Sequence, residues 1–249
     1  MGAWPPGIGR VVLDTVDSTN AEAARRAPDA PLWVLARRQT AARGRRGRAW
    51  AMPAGNFAAS LVWRPGGDPA ALALRSFAAA LALHDALTAL GAGGLSLKWP
   101  NDVLLRGGKL AGILLESPRP GLLILGVGVN LAAAPGADAV EHGAVRPVSL
   151  RDDGGLHVAP EALLSALAPA FAAREAALVR DGFAGIRAAW LARAARLGGT
   201  VTARLPGEAV TGIFEDVDAD GCLVLRTREG ARRIAAADIF FETGTAPCS

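Results

Sequence analysis

LSLKWPNDVLLRGGKLAGILLESPRPGLLILGVGVNL, residues 95–131, decides how the fold is read. Four short apolar runs, at 95–99, 103–105, 110–116 and 122–131, are broken by Gly, Asn or Pro, a texture that predicts consecutive β-strands. Polar residues sit at their ends: Lys98, Asn101 and Asp102 at the first break, Lys109 at the next, and Asn130 after the glycines Gly126 and Gly128.

Upstream, residues 10–14 and 31–36 read as strands. Between them Ser18, Thr19 and Asn20 are good helix N-caps for a helix over 21–27. Residues 37–48 are polar and contain glycine, which predicts a loop, and 57–63 read as a further strand. Asp68-Pro69 places a cap before a proline and starts a long apolar helix to about Leu90. Residues 160–196 read as helices with a break at Asp181-Gly182. After Gly198-Gly199 the texture changes to short strands at 200–205, 209–215, 222–227 and 232–234, separated by Pro-Gly, Asp-Gly and Glu-Gly turns. That pattern fits a small antiparallel barrel. The expected division is 1–195 and 196–249, and the expected class is α+β, a mixed or antiparallel sheet with flanking helices plus the barrel.

The chain has 249 residues and a formal net charge of +4, and the four arginines Arg43, Arg45, Arg46 and Arg48 equal that whole surplus. A nucleic-acid binder usually spreads its cations along a face. One concentrated patch suits a compact anion such as a phosphate or carboxylate. Cys222 and Cys248 form no CxxC, and His84, His142 and His157 offer no ligand spacing with them, so neither a disulfide framework nor a structural metal is expected. The most apolar stretch, 77–90, is interrupted by His84 and Asp85, so no membrane span is expected. The N-terminus carries no secretion or lipidation signal, so a cytoplasmic location is expected. Lys98 and Lys109 are the only lysines among 27 cationic residues. In so arginine-rich a chain they are candidates for places where a compact ammonium is needed instead of a planar fork, chance survival of two lysines being the plain alternative.

Three segments carry chemistry. Arg43-Gly44-Arg45-Arg46-Gly47-Arg48, followed by Trp50, combines glycines that let backbone N–H groups approach an anion with guanidinium forks. It lacks the Gly-Lys-Ser/Thr of a phosphate-binding P-loop. Taken alone, a solvated basic loop or an RNA-binding segment fits it equally. Lys98 to Asp102 with Lys109 to Ile113 sets two lysines, an amide and a carboxylate near strand ends; an ordinary surface ion pair is the plain alternative. Gly126-Val127-Gly128-Val129-Asn130 suggests close approach of a ligand to a strand, or simply tight packing.

Together with Ser18-Thr19-Asn20, these segments closely resemble the catalytic domain of biotin–protein ligases, motif by motif over residues 10–135. The helices and small barrel extend the likeness along nearly the whole chain. The resemblance implies a class II synthetase-like catalytic domain, an SH3-like C-terminal barrel, and the substrates biotin and ATP with Mg²⁺. It implies that Ser18, Thr19, Asn20, Gln39, Arg43, Gly44, Arg45 and Lys109 contact biotin. Arg45, Arg48, Trp50, Asn101, Lys109 and Asn130 would serve the nucleotide and adenylate. Arg45, Lys109 and Asp102 would act in catalysis, with no protein-held metal. Lys109 would bridge the biotin carboxylate and the α-phosphate, and Asp102 would orient or deprotonate the acceptor lysine. Ala42 stands where the family usually carries Gly. The implied partner is the biotin carboxyl carrier domain of a carboxylase, with no DNA or membrane partner, and the protein acting as monomer or homodimer. Some 17 residues precede the Ser-Thr-Asn motif, which suggests the monofunctional type without a DNA-binding domain. The competing readings are a lipoate or octanoyl–protein ligase and, in a different class, a nucleic-acid-binding module built on the basic loop.

Overall fold

A computed structural model describes residues 2–136 and 143–241; the expectations touching His142 and Cys248 lie outside them. Seven strands, β1 (Gly9–Val16), β2 (Leu32–Gln39), β3 (Phe57–Trp63), β4 (Leu95–Lys98), β5 (Asp102–Leu105), β6 (Gly108–Arg119) and β7 (Leu122–Val129), form one sheet in the order β1-β2-β3-β7-β6-β5-β4. β1 and β2 run parallel and every other pair is antiparallel, so the sheet is mixed. The connection from β1 to β2 supplies the crossover that a parallel pair requires, in the form of helix α1 (Thr19–Arg26).

One face of the sheet is closed by two helices, α3 (Arg75–Ala89) and α4 (Pro160–Asp181), which pack on each other and on the strands. Segments 69–89 and 160–181 are long and apolar enough to cross a membrane by length and composition. Here they supply the core: Phe171 of α4 meets Trp33 and Trp63 edge-on at 6.4 and 5.6 Å. The opposite face is only partly closed. α1 covers one corner, burying Ala23 against Val34, Val62, Leu122 and Ile124, and the rest is left for a cavity.

The expected single helix after Asp68 is two pieces. Asp68 caps α2 (Pro69–Ala73) by accepting from Ala71 N at 2.8 Å, and Leu74 then separates it from α3. The helical stretch after α4 ends earlier than expected, with α5 (Phe183–Leu191). The backbone of 193–195 instead pairs with Leu97: Leu97 N donates to Arg193 O (2.8 Å) and Ala195 N to Leu97 O (2.7 Å), which covers the β4 edge.

The C-terminal sheet is antiparallel throughout. It consists of β8 (Thr200–Leu205), β9 (Glu208–Val217), β10 (Leu223–Thr227), β11 (Gly230–Ile234) and β12 (Asp238–Phe241), in the order β11-β10-β9-β8-β12. The four-strand expectation omitted β12, and β12 turns towards the cavity. The C-terminal sheet is tied to the rest of the chain by Trp99, whose indole N–H donates to Gly221 O at 3.0 Å, and by the ion pair of Arg187 on α5 with Asp216 on β9.

Candidate active site

Register partners in an antiparallel ladder point to the same face. Reading across the sheet therefore gives the cavity floor directly. One row runs Lys98 (β4), Asp102 (β5), Gly112 (β6), Gly128 (β7), Ala58 (β3). The next runs Leu114, Gly126, Ser60, Val34. The floor is thus paved with small residues at one side and bears a charged pair at the other. A methyl group on Gly126 would lie 2.3 Å from Asn20 Oδ1, and one on Gly128 2.9 Å from Cε2 and Nε1 of Trp50. These glycines let the Asn20 amide and the Trp50 indole lie directly on the strands.

Lys109 reaches this face through a β-bulge. Val103 pairs with Ala111 but Leu104 pairs with Lys109, so β6 carries one extra residue, Leu110, at that step. A bulge re-aims the side chains beyond it; by plain alternation Lys109 would point away from Gly112. As it is, Lys109 Nζ lies 2.8 Å from Asp102 Oδ1 and 5.6 Å from the centre of the Trp50 ring, while Lys98 Nζ lies 3.5 Å from Asp102 Oδ2. Asp102 is buried. Burial opposes its ionisation, but Lys109 and Lys98 outweigh that cost and hold its carboxyl below the usual carboxylate range. Burial pushes the Lys98 ammonium below its ordinary value, with Asp102 opposing.

The arginine segment arches over the floor as a loop containing a 3-10 turn at Arg45–Gly47. β2 runs further than expected, to Gln39, so Gln39 enters the site from a strand end and not from a loop. Arg46 bonds Asp238 of β12 at 2.7 Å, and Arg48 bonds the same carboxylate. Arg43 rests on Glu116 at 3.3 Å. Arg45 is partly buried and donates to a carbonyl, Ala237 O, at 3.4 Å. Burial lowers its pKa and Asp238 offsets part of the effect, which leaves a desolvated cation suited to an incoming anion. Trp50 N is fixed by Ala42 O at 3.0 Å. Ala42 has no positive φ, so the backbone does not require the usual glycine there; Arg46 (φ 56°) and Gly47 (φ 72°) are the left-handed positions of the loop.

At the far end, Thr19 N donates to Gln39 Oε1 at 2.7 Å, Ser18 caps α1, and Asn20 Nδ2 donates to Glu116 Oε2 at 2.6 Å. Asn101 Nδ2 donates to Ile113 O (2.6 Å) and Asn130 Nδ2 to Val148 O (3.1 Å), so both amides brace the walls, while Asn130 Oδ1 is buried without a partner. The cavity measures about 470 Å³, and all thirteen residues singled out from the sequence line it: Ser18, Thr19, Asn20, Gln39, Arg43, Gly44, Arg45, Arg48, Trp50, Asn101, Asp102, Lys109 and Asn130. That size suits a small organic ligand. Ala237, Asp238 and Phe240 also line it, and Ser60 and Glu116 support it from behind. None of these five was legible in the sequence, since each reaches the site only through a distant strand pairing.

A mixed sheet with a glycine-paved, cation-ringed cavity on its open face and a small antiparallel β-domain at its flank defines an α+β protein built to hold a small anionic ligand. The comparisons agree: the family model described as biotin/lipoate A/B protein ligase family matches residues 9–130, and that described as biotin protein ligase C terminal domain matches 197–242. The chain is 56 % identical over 238 residues to the biotin–[acetyl-CoA-carboxylase] ligase of Paracoccus denitrificans, covering 92 % of this chain and 99 % of that one. It is 37 % identical over 246 residues to the protein of the same name from Mycobacterium tuberculosis, covering 94 % and 90 %. Its fold superimposes on the biotin protein ligase from Aquifex aeolicus in complex with biotin and ATP with a TM-score of 0.80, at 24 % identity over 93 % of this chain and 97 % of that one. The chain belongs to the biotin/lipoate A/B protein ligase family, among the biotin protein ligases.

Proposed function

We propose that this protein joins biotin to ATP, forming biotinyl-5′-AMP and pyrophosphate, and then transfers the biotinyl group to one lysine of a biotin carboxyl carrier domain, releasing AMP. The observation that carries this reading is the cavity itself: fixed cations at one end, a closed polar pocket at the other, and a paved floor between them.

In the first step the biotin carboxylate attacks the α-phosphorus and pyrophosphate leaves. Negative oxygens crowd together in that transition state, and preorganised cations in a partly dry site stabilise it. In this reading Arg45, Arg48 and Lys109 supply those cations; all three line the cavity, with Trp50 over the glycine floor. Among the described residues no three His, Cys, Asp or Glu side chains converge, and both carboxylates at the cavity, Asp102 and Asp238, are engaged by cations. Mg²⁺ would arrive on the ATP phosphates, and no step here is routed through it.

In the second step the carrier's lysine, as a neutral amine, attacks the acyl carbon and AMP leaves. Both oxygens of Asp102 already face lysines, and its carboxyl is held ionised. That favours a role in fixing Lys109 and orienting the incoming amine over one as a strong base. The arginine loop closes over the adenylate and keeps water from the mixed anhydride. The partner is a carboxylase carrier domain, and the protein works in the cytoplasm as a monomer or homodimer without DNA or membrane.

The test is exchange of labelled pyrophosphate into ATP by the purified protein. Exchange that depends on biotin and not on lipoate establishes the adenylation step and its substrate together. Exchange with lipoate alone moves the protein to the acyl ligases of the same fold, and retention on nucleic acid without exchange moves it to the binding modules.

A further inference from the structure

Behind the closed end of the cavity lies a polar residue that belongs to none of the motifs. Ser60 sits mid-strand in β3 and is fully buried; its same-face neighbours are Val34 on β2 and Gly126 on β7. Burying a hydroxyl costs free energy unless it is hydrogen-bonded, and with Val62 next on the same face an apolar residue would pack here at less cost. The hydroxyl is engaged twice: Ser60 Oγ lies 2.5 Å from Asn20 Oδ1 and 2.8 Å from Thr19 Oγ1.

The proton count fixes how these groups are arranged. The Glu116 carboxylate accepts from Asn20 Nδ2, which turns Asn20 Oδ1 towards Ser60. An amide oxygen can only accept, and a serine carries one proton. That proton therefore serves Asn20. The Thr19 proton is left for Ser60 or for Gln39 Oε1, 3.2 Å away, and Thr19 Oγ1 keeps lone pairs for a donor in the cavity.

We propose that Ser60 is a positioning residue for ligand specificity: by fixing the proton order of Thr19 and Asn20 it makes the closed end an acceptor for a ring N–H. The ligand class it selects is a cyclic urea, which has such donors, over a sulfur-only ring, which has none. A site built to pair an N–H discriminates strongly against analogues that lack it. This inference rests on the biotin-activating reading above.

The experiment uses the full chain and the variants Ser60→Ala and Ser60→Cys, with biotin and lipoate as ligands. Wild-type binding of biotin is measured first, by calorimetry; if it is absent, the functional reading itself fails. Given binding, Ser60→Ala is expected to raise Kd and KM for biotin about 10- to 100-fold, the range for leaving a buried partner unpaired. kcat at saturating biotin should change far less, the melting temperature should hold, and the preference for biotin over lipoate should fall in proportion. Ser60→Cys, a weaker donor, should fall between the two, and it decides the question if the alanine variant does not fold. Wild-type biotin affinity in the alanine variant, or a drop in melting temperature with an unchanged biotin-to-lipoate preference, would show that Ser60 only packs and would overturn the proposal.

Discussion

Arg46 and Asp238 are 192 residues apart in the chain and 2.7 Å apart in space. The last strand of the C-terminal sheet thus holds the loop over the cavity, and Asp238 binds Arg48 as well. The contact falls where the loop most needs holding, because Arg46 adopts a left-handed backbone that a non-glycine residue reaches only at a cost. The barrel is therefore a structural part of the ligand site.

Asp238→Asn is expected to loosen this loop without unfolding either sheet. Both arginines are more than a third exposed, so the loss in stability is small, about 1 kcal/mol or less. The effect should appear locally: faster trypsin cleavage at Arg43, Arg45, Arg46 and Arg48, and a several-fold increase in hydrolysis of bound adenylate. Cleavage at the wild-type rate in the variant would detach the barrel from loop closure.

Lys109→Arg tests whether the bulge at Leu110 delivers a point charge. The ammonium lies 2.8 Å from Asp102 and 5.6 Å from the centre of the Trp50 ring. A planar guanidinium is larger and distributes its charge differently. Biotin-dependent pyrophosphate exchange should fall by about 100-fold or more, as for loss of one preorganised charge donor, with the melting temperature little changed. Near-normal exchange would remove Lys109 from the chemistry.

The elements that the sequence announces are those with local signals. Asp68-Pro69 starts a helix, the strand at 200–205 is bounded as expected, and the motif residues lie where strands end. The misreadings have physical causes. Arg37, Arg38 and Gln39 continue β2 as a polar, largely exposed strand end, which looks like a loop to a reader of hydrophobic pattern. β12 is only four residues long and follows an alanine-rich stretch, so it has no period to detect. Ser60, Glu116 and Asp238 could not be found, because nothing local links Ser60 to Asn20 or Asp238 to Arg46. The pairing of Gly112 with Gly128 turns two separate glycines into one surface, and that pairing is written in the register of β6 on β7.

Gly128→Ala tests that surface. Gly128 has no positive φ, so the backbone accepts alanine; the conflict is steric, a methyl carbon 2.9 Å from the Trp50 indole. The indole must lift from the floor. The expected outcome is a KM for ATP raised by about 10-fold or more, in line with over-packing costs of 1–3 kcal/mol, with unchanged circular dichroism. Gly93→Ala, whose new methyl meets nothing within 4 Å, is the control and should behave as wild type. Equal KM values for the two variants would show that Trp50 does not serve the nucleotide.

The charged row of Lys98, Asp102 and Lys109 predicts a pH signature in stability. The Asp102 carboxyl is depressed in the folded protein, so its contribution is present above the unfolded value of about 3.9 and is lost as pH falls through the folded value. Lys98 is depressed as well, which for a base has the opposite sense: its buried charge costs stability below the folded value, and that cost disappears as pH rises towards about 10.4. Asp102→Asn leaves two lysines without their anion, and breaking a buried pair in this way typically costs about 3–5 kcal/mol. The gap between wild type and variant should therefore be widest near neutral pH. It should begin to narrow below about pH 5, as the unfolded wild-type chain starts to take up the proton, and narrow again on the alkaline side, as the depressed Lys98 ammonium loses its own. Urea unfolding of both proteins between pH 4 and pH 10 measures it. A gap that stays constant across that range would mean the carboxylate charge contributes nothing, and that Asp102 serves this site only as a hydrogen-bond acceptor an amide can replace.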